Sequence, residues 1–193
     1  MTGPGVPVAM APFPTPRPGH LEAPAALAGR GFRLRPLVAA DIPWIRDLYA
    51  TTREEEMAQV PWPPQLKRNF LDQQCALQHA HYLAHFGDTD FLALVHNGRP
   101  AGRLYLQRGG GDSQRDADLV VDISVFPRHR GQGLGEALLR AAQEAAVAGG
   151  RGVWLHVQRH NAGARRLYER LGFVADDHGE SHIPMYWRAP VAP

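Results

Sequence analysis

Apolar and polar side chains alternate at period two through Phe32-Arg33-Leu34-Arg35-Pro36-Leu37, the pattern of a half-buried strand. Asp41 then precedes Ile42-Pro43-Trp44-Ile45 and Leu48-Tyr49, which predicts a first helix with Asp41 as N-cap and an early proline. Val60-Pro61-Trp62-Pro63-Pro64 interrupts any helix, since proline fixes φ and has no N–H to donate. Beyond that joint, Leu66, Phe70, Leu71, Leu77 and Tyr82 predict a second helix.

Phe91 to His96, the turn pair Asn97-Gly98, and Ala101 to Gln107 predict a hairpin, because Asn and Gly tolerate the positive φ of a tight turn. Gly109-Gly110-Gly111-Asp112 reads as a loose loop. Leu119 to Val125 is a mostly apolar strand, followed by a glycine-rich turn and an alanine- and leucine-rich helix from Leu134 to Ala148. Val153 to Val157 repeats the strand signal and Asn161 to Leu171 the helix signal. Phe173-Val174 and Ile183 to Trp187 close the chain as two short strands.

Residues 1–30 are dominated by Pro, Gly and Ala and read as a flexible tail. The pattern therefore places one folded domain at 31–188 and a short C-terminal tail at 189–193. A chain of 193 residues is long enough for one full core and short for two.

Composition narrows the classes. Hydrophobic residues at 44% and charged residues at 21% are those of a globular chain. A net charge of +2 is too small, and its arginines too dispersed, to argue for a nucleic-acid partner. No apolar run is long enough for a membrane span. Cys75 is the only cysteine, which rules out an internal disulfide and fits a cytoplasmic location.

The chemistry gathers at Arg130-Gly131-Gln132-Gly133-Leu134-Gly135, between a predicted strand and a predicted helix. There the helix's first N–H groups and its dipole face the turn, which suits an anionic phosphate. Glycine lets the backbone close on such a ligand, and Arg130 can add a charge-assisted contact. The spacing is neither that of a dinucleotide fingerprint nor that of a P-loop.

Ile123-Ser124-Val125 through Arg130 to Gly135 resembles the acetyl-CoA motif of GCN5-related N-acetyltransferases, R/Q-x-x-G-x-G/A after a strand. Asn161 through Leu167-Tyr168 to Gly172-Phe173 resembles the same family's second signature, an Asn followed by a helix ending in L-Y-x-x-x-G-F. The resemblance covers roughly Gly31 to Arg188. It implies an α/β fold of α+β type, with a mixed, mostly antiparallel sheet of six to seven strands flanked by about four helices.

It also implies acetyl-CoA as cosubstrate and direct transfer of the acetyl group to a primary amine. The pantetheine arm would pair with the backbone of Ile123, Ser124 and Val125 in a gap between the fourth and fifth strands. The pyrophosphate would lie on Arg130, Gly131, Gln132, Gly133, Leu134 and Gly135. Tyr168 falls where relatives place the phenol that protonates the departing thiolate, and Asn161 where they contact the cofactor arm.

Each role has a plainer alternative. Tyr168 sits among Leu167, Leu171 and Phe173 and suits a packed aromatic, and Asn161 suits an N-cap. Asp122, Asp118 and His156 are the candidate bases, because they lie on the two strands that line the gap. Asp122, amid Val120, Val121, Ile123 and Val125, would be partly desolvated, which strengthens its hold on a proton. The alternative for it is a paired or edge-facing acid.

Cys75, His79, His81 and His85 share one predicted helix, but the Glu of H-E-x-x-H is absent. We read no metal there, only histidines that line the substrate side or face water. Glu54-Glu55-Glu56 lies where relatives build the acceptor pocket and could hold a cationic amine, but it reads first as a solvated face. The resemblance leaves the acceptor amine open, allows a non-catalytic acyl-CoA-binding module as the rival reading, and makes a homodimer possible.

Overall fold

Leu92 and Leu94 point to one side of a central strand while Phe91 and Ala93 point to the other, and all four are buried. This strand is therefore covered on both faces, and the sheet around it divides the interior into two cores. The structure is a computed structural model and describes residues 9–109, 116–176 and 181–190. Of the sequence-based expectations, the first eight residues of the tail, Gly110 to Asp112 of the glycine loop and the last three residues lie outside the described residues.

The elements run α1 (Ala25–Ala28), β1 (Phe32–Pro36), α2 (Ile42–Thr52), α3 (Glu54–Ala58), α4 (Pro64–His85), β2 (Thr89–His96), β3 (Arg99–Gln107) and β4 (Ala117–Val125). Then come α5 (Leu134–Ala148), β5 (Gly152–Gln158), α6 (Ala162–Arg170), β6 (Val174–Ala175) and β7 (His182–Trp187). The strands form one 7-stranded sheet in the order β1-β2-β3-β4-β5-β7-β6. Among the described residues only β4 and β5 pair in parallel. The α/β expectation is met, with short α1 and α3 added to the four longer helices.

Asn97 (φ 48) and Gly98 (φ 78) form the β2–β3 turn, whose left-handed pair matches the twist of a two-residue hairpin. Helices α1, α5 and α6 cover one face of the sheet with Leu27, Leu138, Leu139 and Tyr168. Helices α2 and α4 cover the other with Ile45, Tyr49, Leu71 and Cys75. Among the described residues, no helix is long and apolar enough to cross a membrane.

Two expectations change here. The Pro-rich segment is not a tail over its described part. Leu27 is 1% exposed, the Phe13 ring packs edge-on against His79 at 4.8 Å, and His79 Nε2 donates to the Ala11 carbonyl at 2.8 Å. Prolines restrict the chain, but the scattered apolar residues between them still find pockets. Asp41 precedes α2 without capping it through its side chain. Its carboxylate is held instead by both Nη atoms of Arg35 at 2.7 Å and by Trp44 Nε1 at 2.7 Å. After burial, those bonds hold the Asp41 carboxyl below its usual range.

Candidate active site

Strands β4 and β5 pair only from Ala117↔Gly152 to Val120↔Leu155. Past that point they separate. The β3–β4 register slips between Leu106↔Val120 and Tyr105↔Asp122, so Val121 is the extra residue of a β-bulge, and a bulge turns its strand. Meanwhile β5 stays with β7 through Val157↔Ile183 and Gln158↔His182. The result is a gap in the middle of the sheet, with Val121–Val125 half-buried along one wall.

The backbone alternation of β4 decides which groups face that gap. Phe126 N–H donates to the Ala101 carbonyl at 2.9 Å, toward β3. By the alternation of an antiparallel ladder, Ser124 also faces β3, and the N–H and C=O groups of Ile123 and Val125 face the gap. This narrows the expected cradle of three residues to two. Ser124 serves elsewhere, its hydroxyl donating to Asp122 Oδ1 at 2.8 Å.

The gap leads to the glycine turn. Gly131 has φ 71 and Gly133 φ 75, and a Cβ at either would meet nothing within 4 Å. Both glycines are thus required by conformation, and the space beside them is open. Ala137 N–H makes the first helical bond, to Gly133 C=O at 3.0 Å. The N–H groups of Gly133 to Glu136 therefore have no partner within the helix and form a donor cluster suited to an anion. Leu134, 2% exposed, pins the helix start into the core, and Gly135 lets Leu167 of α6 pack within 3.5 Å of where its Cβ would be. Gln132 Nε2 donates to the Arg128 carbonyl at 3.0 Å.

Arg130 points elsewhere than expected. Its Nε donates to the Val125 carbonyl at 3.1 Å and its Nη2 to the Thr51 carbonyl at 3.4 Å. It ties β4 to the end of α2 across the mouth of the gap.

Asp122 is a paired acid. Arg103 Nε and Nη2 meet its two carboxylate oxygens at 3.0 and 2.8 Å, and the Tyr82 hydroxyl donates to Oδ2 at 3.1 Å. With Ser124 also on Oδ1, both oxygens are engaged, which is the paired-acid alternative rather than an open candidate base. Asp118 is likewise closed, fully buried on Arg151 Nε at 2.7 Å and the Gly109 N–H at 2.8 Å. His156 is exposed on β5, with its ring 4.9 Å from that of Trp154.

Tyr168 of α6 is 7% exposed in the core beneath the gap. Burial, and then the Asp122 charge, push its phenol up to about 12, so it keeps its proton at any neutral pH. Asn161 caps α6, with Oδ1 accepting Ala164 N–H at 3.0 Å.

On the α4 face, beside β4 and β5, lies a cavity of about 390 Å³ lined by His81, Tyr82, Phe86, Trp154, His156 and His182 together with Leu119, Val120 and Val121. That is the size of a small-molecule cleft. Burial and then the Asp122 charge drive the Tyr82 phenol far above its ordinary value. In the sequence Tyr82 falls on a helix pattern and Trp154 on a strand pattern, and neither Arg103 nor His182 stands out. The alternation of β5 was the one available signal, since Trp154 and His156 fall on the face opposite the apolar Val153, Leu155 and Val157.

The profile of the Acetyltransferase (GNAT) family matches residues 45–173. The chain belongs to that family. The match runs from within α2 to just past α6, and so includes the gap, the turn and Tyr168. The chain is 45% identical over 56 residues to streptothricin acetyltransferase of Streptomyces lavendulae, covering 28% of this chain and 30% of that protein. It is 35% identical over 77 residues to the uncharacterized N-acetyltransferase YycN of Bacillus subtilis (strain 168), covering 39% and 49%. The matched stretch is thus less than half of either relative. In fold, it resembles the PaiA N-acetyltransferase of Thermoplasma acidophilum, solved in complex with coenzyme A, at a TM-score of 0.61 and 15% identity over 81% of this chain and 98% of that one.

Proposed function

We propose that this GNAT-family chain is an acetyl-CoA-dependent N-acetyltransferase acting on a primary amine by direct transfer. The observation that carries the reading is the separation of β4 from β5 beyond Val120 and Leu155, which leaves a backbone edge with no strand partner, its Val125 carbonyl taken by Arg130, running to the donor cluster at Gly133 to Glu136. An edge strand accepts a linear, amide-bearing arm, and a helix start accepts its phosphates. Acetyl-CoA has both parts and supplies an acetyl thioester, whose carbon forms a C–N bond to the amine as its C–S bond breaks.

In this reading Ile123 and Val125 hold the arm by main-chain hydrogen bonds, and the turn from Gly131 to Gly135 holds the pyrophosphate. The acceptor sits in the cavity beside the gap, between Tyr82, Phe86 and Trp154. Tyr168 donates to the departing sulfur. At about 12 its phenol is a weaker acid than an ordinary thiol near 8.5, so its hydrogen bond to the developing negative charge matters more than complete proton transfer. The proton released from the amine leaves through the imidazole side of the cavity, where His156 is the base. Imidazole is the side chain whose charge changes near neutral pH.

Calorimetric titration with acetyl-CoA, followed by thiol release against a panel of amines that includes streptothricin, tests this. Binding together with amine-dependent thiol release supports the enzyme. Binding without release across the panel supports a non-catalytic acyl-CoA-binding module, and no binding removes both.

A further inference from the structure

The donor turn has a support that comes from outside the family-matched stretch. Leu27 seats α1 in the core next to α5, and Gly31, with φ 82, turns the chain into β1. Between them Arg30 is exposed. Its guanidinium lies over the ring of the buried Phe32, 5.4 Å from the centroid, and its Nη1 donates to the Gln132 carbonyl at 3.1 Å. That is the one hydrogen bond of its side chain among those of the described residues.

The Gln132–Gly133 peptide is trans, so its C=O and N–H point to opposite sides. A cation on the Gln132 oxygen fixes the direction of the Gly133 N–H and draws electron density away from it. Gly133 is the first of the four N–H groups without a helical partner. The other arginines near the turn are committed to carbonyls, Arg130 to Val125 and Thr51 and Arg128 to Pro100.

We infer that Arg30 is a positioning residue for phosphate recognition: from behind the turn it holds the Gly133 N–H toward the ligand and adds a positive charge to the site. The inference rests on the acetyl-CoA reading above. It ties the N-terminal segment, which packs over the domain, to cofactor affinity.

The test is calorimetric titration of coenzyme A into the full chain, Arg30→Gln and Arg30→Lys, each at low and high salt, with apo melting temperature as the fold control. Arg30→Gln is expected to bind roughly tenfold more weakly and with a shallower salt dependence, while melting with the parent. Arg30→Lys keeps the charge without the planar fork and is expected to recover part of the loss. Binding by the parent together with unchanged affinity in Arg30→Gln overturns the proposal and leaves the acetyl-CoA reading standing. A loss that Arg30→Lys does not reduce, or one matched by a lower melting temperature in both variants, also overturns it, because the contact is then structural. Absence of binding by the parent chain overturns the acetyl-CoA reading and this inference with it.

Discussion

Arg103 and Asp122 form a bidentate ion pair beneath the β4 bulge, at 3.0 and 2.8 Å, with side chains only 4% and 11% exposed. Burial works against the charged guanidinium, but the Asp122 carboxylate more than offsets it and raises the Arg103 pKa above its ordinary value. Gln78 of α4 accepts from the same Arg103 Nη2 at 3.0 Å, and Tyr82 of α4 donates to the same Asp122. The pair thus binds β3, β4 and α4 at the place where β4 leaves β5.

Breaking one side of this pair strands a buried charge. Arg103→Met is expected to cost about 3–5 kcal/mol in urea unfolding, whereas Arg103→Met combined with Asp122→Leu, which leaves no orphan charge, recovers most of it. Equal losses in the single and double variants would show that the arginine contributes packing rather than charge pairing.

Much of the fold is legible because its signals are local. The Asn97-Gly98 turn, the α5 stretch from Leu134 to Ala148 and the strand from Val153 to Val157 each follow from periodicity and turn chemistry within a few residues. The donor turn is legible for the same reason. What escapes is long-range pairing. Arg103 looks like an ordinary polar position of a hairpin strand, and nothing near it in sequence announces Asp122. Arg30 and Leu27 sit in a segment whose prolines and glycines mimic a linker, and Asp41 looks like a cap until Arg35 is brought beside it.

Gly133→Val isolates the turn. The added side chain meets open space, but φ 75 is a left-handed conformation that a β-branched residue resists, at a cost of about 1–2 kcal/mol. The turn is expected to relax out of its donor geometry, weakening coenzyme A at least tenfold by calorimetry, with far-UV circular dichroism unchanged. Unaltered affinity would take the turn out of the site.

Tyr168→Phe separates chemistry from packing. The ring stays in the core against Phe173, 6.0 Å between centroids, and only the hydroxyl goes. With an amine that supports thiol release, kcat is expected to fall on the order of 10²-fold while acetyl-CoA affinity stays within about a factor of two. Equal turnover in the two proteins would leave Tyr168 as a packed aromatic.

The same phenol makes a prediction at alkaline pH that needs no substrate. Its folded value of about 12 lies above the ordinary value of 10.0. Below about pH 10 both folded and unfolded states hold the proton, so stability is unaffected. Above it the unfolded chain ionises first and is favoured, and stability falls by about 1.4 kcal/mol per pH unit for this one group until the folded phenol also titrates. Burial raises Tyr82 and Tyr105 in the same direction, which steepens the fall. Urea midpoints of the parent and Tyr168→Phe, measured from about pH 8 to pH 12, should keep a constant difference up to about pH 10 and converge above it. A difference that stays constant through the whole range would mean that the Tyr168 hydroxyl is solvated in the folded protein, and it would remove the buried proton donor from the mechanism.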